Sequence, residues 1–214
     1  MVSRGLGDVY KRQIHFKGPG TDLKVGLADD HEWMGGASMA QNGVICNPNI
    51  PSEEVFTTPH ALRVEGYVSS TKPLSHQGTL IDNIRVVFEK GSITDAKASK
   101  GETVLKKVLE SDEGARRLGE VALVPNSSPI SNSGLLFYNT LFDENAACHI
   151  ALGQCYSKCF KGDTNLSTSE IRERGGNSSM IHIDWMIGSG EIDIDGFGKN
   201  GEIVPIFRKG EWVD

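Results

Sequence analysis

Met180-Ile-His-Ile-Asp-Trp-Met186 alternates polar with large apolar residues, the period of a half-buried β-strand. Residues two apart on a strand point to one face, so the His182 imidazole and the Asp184 carboxylate project side by side. A neutral imidazole and an ionised carboxylate are favoured ligands of a borderline divalent cation such as zinc. Taken alone, such a pair is more often a hydrogen-bonded histidine beside a solvated aspartate. What gives it weight is that further acidic residues and another histidine recur upstream, in settings able to converge on it.

The 214 residues suffice for one sizeable core. Twenty-five glycines in an ordinary soluble composition, 38% hydrophobic and 23% charged, point to turns and hairpins rather than a helical bundle. A net charge of −6 with no basic run argues against a nucleic-acid partner. No apolar stretch approaches the ~18 residues of a membrane span, and no signal peptide opens the chain, so a cytoplasmic protein without a membrane partner is expected. The glycosylation patterns at Asn126, Asn165 and Asn177 then read as unmodified loops. Cys46, Cys148, Cys155 and Cys159 lack zinc-ribbon spacing and read as reduced thiols, the last three sharing one helical face. Met1 to Gln13 fits no strand or helix pattern and resembles a peptide translated from sequencing-adapter DNA, so it is set apart as an extraneous or disordered segment.

From Ile14 onward, short apolar stretches punctuated by glycine, proline and asparagine place strands at Leu23 to Leu27 and His60 to Val68, with a Pro/Asn-rich loop, Cys46 to Glu54, between them. Ile81 to Glu89, Lys90-Gly91, and Ser92 to Ala98 form a hairpin pattern. Val104, Leu105, Val108 and Leu109 fall at helical spacing within Glu102 to Leu109. A second short helix is expected over Glu113 to Leu118, then a strand from Val121 to Val124. Asn126 to Gly134 reads as a polar loop, and Asp143 to Phe160, rich in Ala, Leu and Cys, as the longest helix. Asp163 to Asn177 reads as loop. Glu191 to Asp195, Gly196 to Gly201, and Glu202 to Phe207 form a closing hairpin. The fold class expected is α/β, a mixed, hairpin-rich sheet with flanking helices.

Several side chains invite chemistry. Glu53-Glu54 stands in the loop held by Pro48 and Pro51, a stiff platform for a carboxylate, although an acidic pair is ordinarily a solvated one. Glu120 follows Gly119 at the mouth of an apolar strand, where it either meets solvent or joins a site. Glu144 falls in the first turn of the expected long helix, where the macrodipole favours a negative charge. His149 and Tyr156, seven residues apart, would share a stripe of that helix; a mid-helix histidine is most often a hydrogen-bonded core residue. Together two imidazoles, several carboxylates and a phenol suffice to hold two divalent ions ~3.5–4 Å apart and assist a reaction.

Four stretches make the pattern specific. Asn47 to Thr57, Arg117 to Leu123, Asn139 to His149 and His182 to Gly188 together resemble the M29 family of metallo-aminopeptidases, the aminopeptidase T and S group, and the likeness runs from about Gly18 to Trp212. The resemblance implies an exopeptidase with two divalent metal ions, zinc, cobalt or manganese, acting on peptides with a free N-terminus. Chains of that family are about twice as long, and their full-length forms are expected to be homodimers. Residues 14–214 would be the C-terminal catalytic, metal-binding domain of a two-domain family whose N-terminal domain is missing here. Carried over position by position, the metal ligands are Glu54, Glu120, Glu144, His149, His182 and Asp184, with Glu120 bridging. Tyr156 matches the active-site tyrosine, and Glu53 is the candidate general base. Two other readings stay open: another binuclear metallohydrolase (an amidase or phosphoesterase), and a metal-binding protein without turnover.

Overall fold

The computed structural model describes residues 11–47, 52–162, 165–198 and 200–213. Its first strands are β1 (Lys11–Gly18), β2 (Thr21–Leu27), β3 (Met34–Gly35), β4 (Ser38–Met39), β5 (Ile45–Cys46), β6 (Val55–Thr57) and β7 (Pro59–Ser69). There follow β8 (Leu74–His76), β9 (Thr79–Ile81), β10 (Arg85–Glu89), β11 (Ser92–Lys97) and β12 (Leu118–Leu123). The last are β13 (His149–Gly153), β14 (His182–Met186), β15 (Asp193–Gly198), β16 (Ile203–Arg208) and β17 (Glu211–Trp212). Four short helices flank them: α1 (Glu102–Leu109), α2 (Pro129–Ser133), α3 (Thr140–Asp143) and α4 (Thr168–Glu173).

The hairpin-rich α/β architecture is present, weighted toward strand. An eight-stranded sheet has the order β11-β10-β7-β2-β1-β15-β16-β17, and a five-stranded sheet the order β14-β13-β12-β6-β3. Every strand pairing in these two sheets is antiparallel, and tight hairpins join β1 to β2, β10 to β11, β15 to β16 and β16 to β17. The two sheets share one core: Phe16, Leu23, Val25, Val64 and Phe88 from the first pack in the same cluster as Leu118, Val121, Ile150, Leu152 and Trp185 from the second.

The β10–β11 turn is Lys90-Gly91, both with positive φ (49° and 79°), the backbone that a two-residue hairpin with right-handed twist demands. α1 spans the expected residues, with Leu105 and Leu109 buried. The closing hairpin keeps its place, but Gly196 lies within β15 and pairs with Ile14 and Val204. β1 starts at Lys11, so the last three residues of the segment set apart in the sequence lie in this sheet, Lys11 paired with Gly198 and Gln13 with Gly26 and Phe197. Its first ten lie outside the described residues.

The largest departure is Asp143 to Phe160. Instead of one helix, this stretch is the end of α3, a 3-10 turn (Glu144–Ala146), the strand β13, and a second 3-10 turn (Ser157–Cys159). β13 is buried at every position, so its sequence is a continuous apolar run, and periodicity alone does not separate such a strand from a buried helix. Gly153, with φ 101°, ends it. The shared helical face of Cys148, Cys155 and Cys159 therefore does not exist. All three are buried free thiols, in three different clusters.

Two polar stretches read as loop contain helices. α2 begins with Ser128 accepting from the Ser131 N–H and Pro129 in its first turn, and α4 has a complete capping box, Ser167 with Glu170. Glu113–Arg116 is a 3-10 turn, and Leu118 already belongs to β12. Among the described residues no helix is long and apolar enough to cross a membrane.

Candidate metal centre

β12, β13 and β14 set the site. Ile183 and Trp185 face the main core, as do Cys148, Ile150 and Leu152, so the residues between them face the opposite side. Glu120, Ala151 and Asp184 lie abreast across the three strands. His149 and His182 precede Ala151 and Asp184 by two residues on the same face. Glu120 joins that face through an irregularity between Leu118 and Glu120, the kind of bulge that re-aims a side chain. Gly119 permits it: a Cβ there would meet the Gly153 and Gln154 carbonyl oxygens at 2.4 and 2.3 Å.

The remaining carboxylates come from outside the three strands. Glu54 immediately precedes β6, and Glu144 opens the 3-10 turn after α3. One buried side chain ties these two segments: Asn145 Oδ1 accepts from the Glu53 N–H at 2.7 Å, and Asn145 Nδ2 donates to the Leu141 carbonyl at 3.1 Å.

All six expected ligands converge. Their ligand atoms form three overlapping groups, each within 4.8 Å: Glu54, Glu120 and His149; Glu120, His182 and Asp184; Glu144, His149 and Asp184. His149 Nε2 lies 3.1 Å from Glu54 Oε2. His182 Nε2 lies 3.3 Å from Glu120 Oε2 and 3.4 Å from Asp184 Oδ1. Glu120, Glu144, His149 and Asp184 are buried.

Burial and mutual proximity shift the titration of these groups. Glu120 and Glu144 are raised by desolvation, Glu144 to about 8. Burial opposes protonation of His149, but Glu54, Asp184 and Glu120 outweigh it and raise the imidazole to about 10. Asp184 and Glu120 likewise overcome burial at His182 and raise it to about 11.

Tyr156 is half exposed, its ring centre 4.8 Å from that of His182. It shares a cavity of about 430 Å³ with Glu54, Glu120, Glu144, His182 and Asp184. Glu53 does not line this cavity, though its neighbours Ser52 and Glu54 do. Pro48 and Pro51, expected to stiffen that loop, lie outside the described residues.

The protein-family model described as thermophilic metalloprotease (M29) matches residues 3–212. The chain belongs to the M29 family. It is 56% identical over 200 residues to "Aminopeptidase T" of Thermus aquaticus, covering 94% of this chain and 48% of that one. With "Aminopeptidase 2" of Geobacillus stearothermophilus it shares 51% over 208 residues, 97% of this chain and 50% of the relative. The solved "Wild-type AmpT from Thermus thermophilus" superposes with a TM-score of 0.90 at 53% identity, over 95% of this chain and 50% of that one. The chain thus spans about half the length of the curated relatives it matches. A 2,5-dihydroxypyridine dioxygenase from Pseudomonas putida KT2440 shares the fold alone, at TM-score 0.58 and 14% identity.

The family implies divalent metal ions, and the donors fit them. His149 Nδ1 faces the Ala147 carbonyl at 3.2 Å, and His182 Nδ1 the Gln154 carbonyl at 2.7 Å. A carbonyl only accepts, so both Nδ1 atoms carry the proton, and in the neutral ring Nε2 offers its lone pair to the carboxylate cluster. His149 Nε2 is fully buried and makes no aligned hydrogen bond, which suits an atom kept for a metal. Four carboxylates with two imidazoles match a borderline cation.

The helical stripe expected for His149 and Tyr156 is absent. His149 is on β13, whereas Tyr156 follows that strand and precedes the second 3-10 turn. Glu144 likewise opens a 3-10 turn rather than a long helix. Sequence reasoning missed Asn145, Lys158 and the small residues Gly35 and Gly36 of the cavity wall. A polar side chain directly after Glu144 and a lysine two places beyond Tyr156 were the available signals.

Proposed function

We propose that this chain carries the catalytic, metal-binding part of an aminopeptidase that releases the N-terminal residue of peptides. One observation supports it above the rest: six residues scattered over Glu54 to Asp184 meet in three overlapping donor groups beside a cavity of about 430 Å³. The aminopeptidase names of the relatives fit the same reading.

Glu54, Glu120, Glu144, His149, His182 and Asp184 would hold two divalent ions, of zinc, cobalt or manganese type. Glu120 and Asp184 are the two carboxylates common to two of the groups, and Glu120, in the middle strand, is our choice for the one that would serve both ions. When bound, such ions polarise a carbonyl and acidify water. The phenol of Tyr156, beside His182 and partly open to the cavity, donates a hydrogen bond to the oxygen that gains charge. Glu53, next to Glu54 in sequence but outside the cavity lining, would be the group that carries the proton to the leaving amine. Recognition of the free terminal amine, which an exopeptidase requires, would fall to this same cluster and the ions it would hold.

The test is hydrolysis by metal-loaded protein that includes the half present in its relatives. Peptides with a free amino terminus should lose their first residue and N-acetylated ones should not. Equal cleavage of both would end the aminopeptidase reading while leaving a hydrolase.

A further inference from the structure

Four carboxylates line the cavity, and with them a single ammonium among the described residues, Lys158. Its Nζ stands 4.9 Å from the centre of the Phe56 ring and 5.2 Å from that of Tyr156. None of the ion pairs among the described residues includes it. The two aromatic faces attract the cation and hold its stem in place without neutralising it. A positive charge fixed at a substrate cavity, with no carboxylate among the described residues paired to it, is available to an anionic group of a ligand.

The position selects the ligand. The metal-binding cluster claims the terminal amine and the scissile carbonyl, so the anion must belong to the far end of the substrate. The Tyr156 ring centre is 4.8 Å from that of His182 and 5.2 Å from Lys158 Nζ. Nζ therefore lies no more than about 10 Å from the His182 ring, while an extended dipeptide spans about 7 Å. We infer that Lys158 pairs with the free C-terminal carboxylate of a dipeptide, so that the site reads both ends of a very short substrate.

This inference rests on the aminopeptidase reading, and its test separates the two. In the metal-loaded protein that includes the second half, kcat/KM is measured for a dipeptide and for the same dipeptide as its C-terminal amide. The acid should be preferred by about tenfold, the effect of one partly shielded charge pair. Lys158→Met keeps the packing against Phe56 and Tyr156 but removes the charge, and should bring the acid-to-amide ratio close to one, through KM. Lys158→Arg should keep most of the preference. An unaltered ratio in Lys158→Met, or no preference in the parent protein, would overturn the role of Lys158 alone. Failure of the parent to hydrolyse either substrate would overturn the aminopeptidase reading and this inference with it.

Discussion

The two sheets bury their residues differently. In the eight-stranded sheet Arg85–Glu89 alternates buried positions with exposed or half-buried ones, and Thr21–Leu27 alternates buried with exposed over its first half. In the five-stranded sheet β12 and β13 are buried throughout. One face of those central strands packs in the common core. The other holds Glu120 and His149, polar groups that no solvent compensates. The first sheet is an ordinary hydrophobic scaffold. The second places charge where an apolar residue would be more stable, a cost that a function explains and packing does not.

The sharpest break in this contrast comes from emptying the polar face. His149→Ala or Asp184→Ala should remove most turnover of the metal-loaded protein, exceeding the 10–100-fold typical of losing a ligand's outer partner. Tyr156→Phe should lower kcat by about 10²–10³ with metal content unchanged; activity assays with metal analysis of each variant check both. Retained activity in His149→Ala would return that face to a purely structural role.

Filling the same face is the next test. Ala151 lies between Glu120 and Asp184 and is fully buried. Ala151→Leu should intrude on the donor groups, costing about 1–3 kcal/mol in stability and weakening metal binding in a titration. At Tyr67, a partly exposed site on the eight-stranded sheet, Tyr67→Leu should leave metal binding untouched.

The titrations give a comparison of opposite signs. In metal-free protein His149 and His182 have raised pKa values, about 10 and 11, and Glu144 is raised to about 8. The native state then holds more protons than the unfolded chain, so metal-free stability should fall as pH rises from about 5 toward 10. Metal must displace those protons, so its binding should strengthen over the same range. Melting temperatures with chelator and with metal, followed from pH 6 to 9, should diverge; parallel curves would mean that the cluster is not where the metal binds. The smallest effect belongs to the outer sheet: breaking the exposed Lys97–Asp95 pair should alter stability by less than about 1 kcal/mol.

Legibility in the sequence followed the same division. Alternation exposed β14, whose one face carries polar groups; short apolar stretches between glycine, proline and asparagine exposed β2 and β7, and Lys90-Gly91 exposed the β10–β11 hairpin. β13 was misread as helix because burial on both faces erased the alternation. His182 and Asp184 were legible as a pair from their spacing. The convergence of Glu54, Glu120, Glu144 and His149 on them was not, since it depends on antiparallel register, the bulge at Gly119 and the Asn145 clamp. Those long-range contacts leave no local periodicity, and the family resemblance supplied what spacing did not. The capping box of α4 was readable as Ser167-Thr-Ser-Glu170 but was obscured by its polar surroundings.

Anomalous diffraction from crystals grown with zinc tests the central claim most directly, because it locates the ions without an assay. The account predicts strong peaks within bonding distance of His149 Nε2 and His182 Nε2, enclosed by Glu54, Glu120, Glu144 and Asp184. Peaks found only elsewhere, with both Nε2 atoms bonded to carboxylates alone, would contradict it.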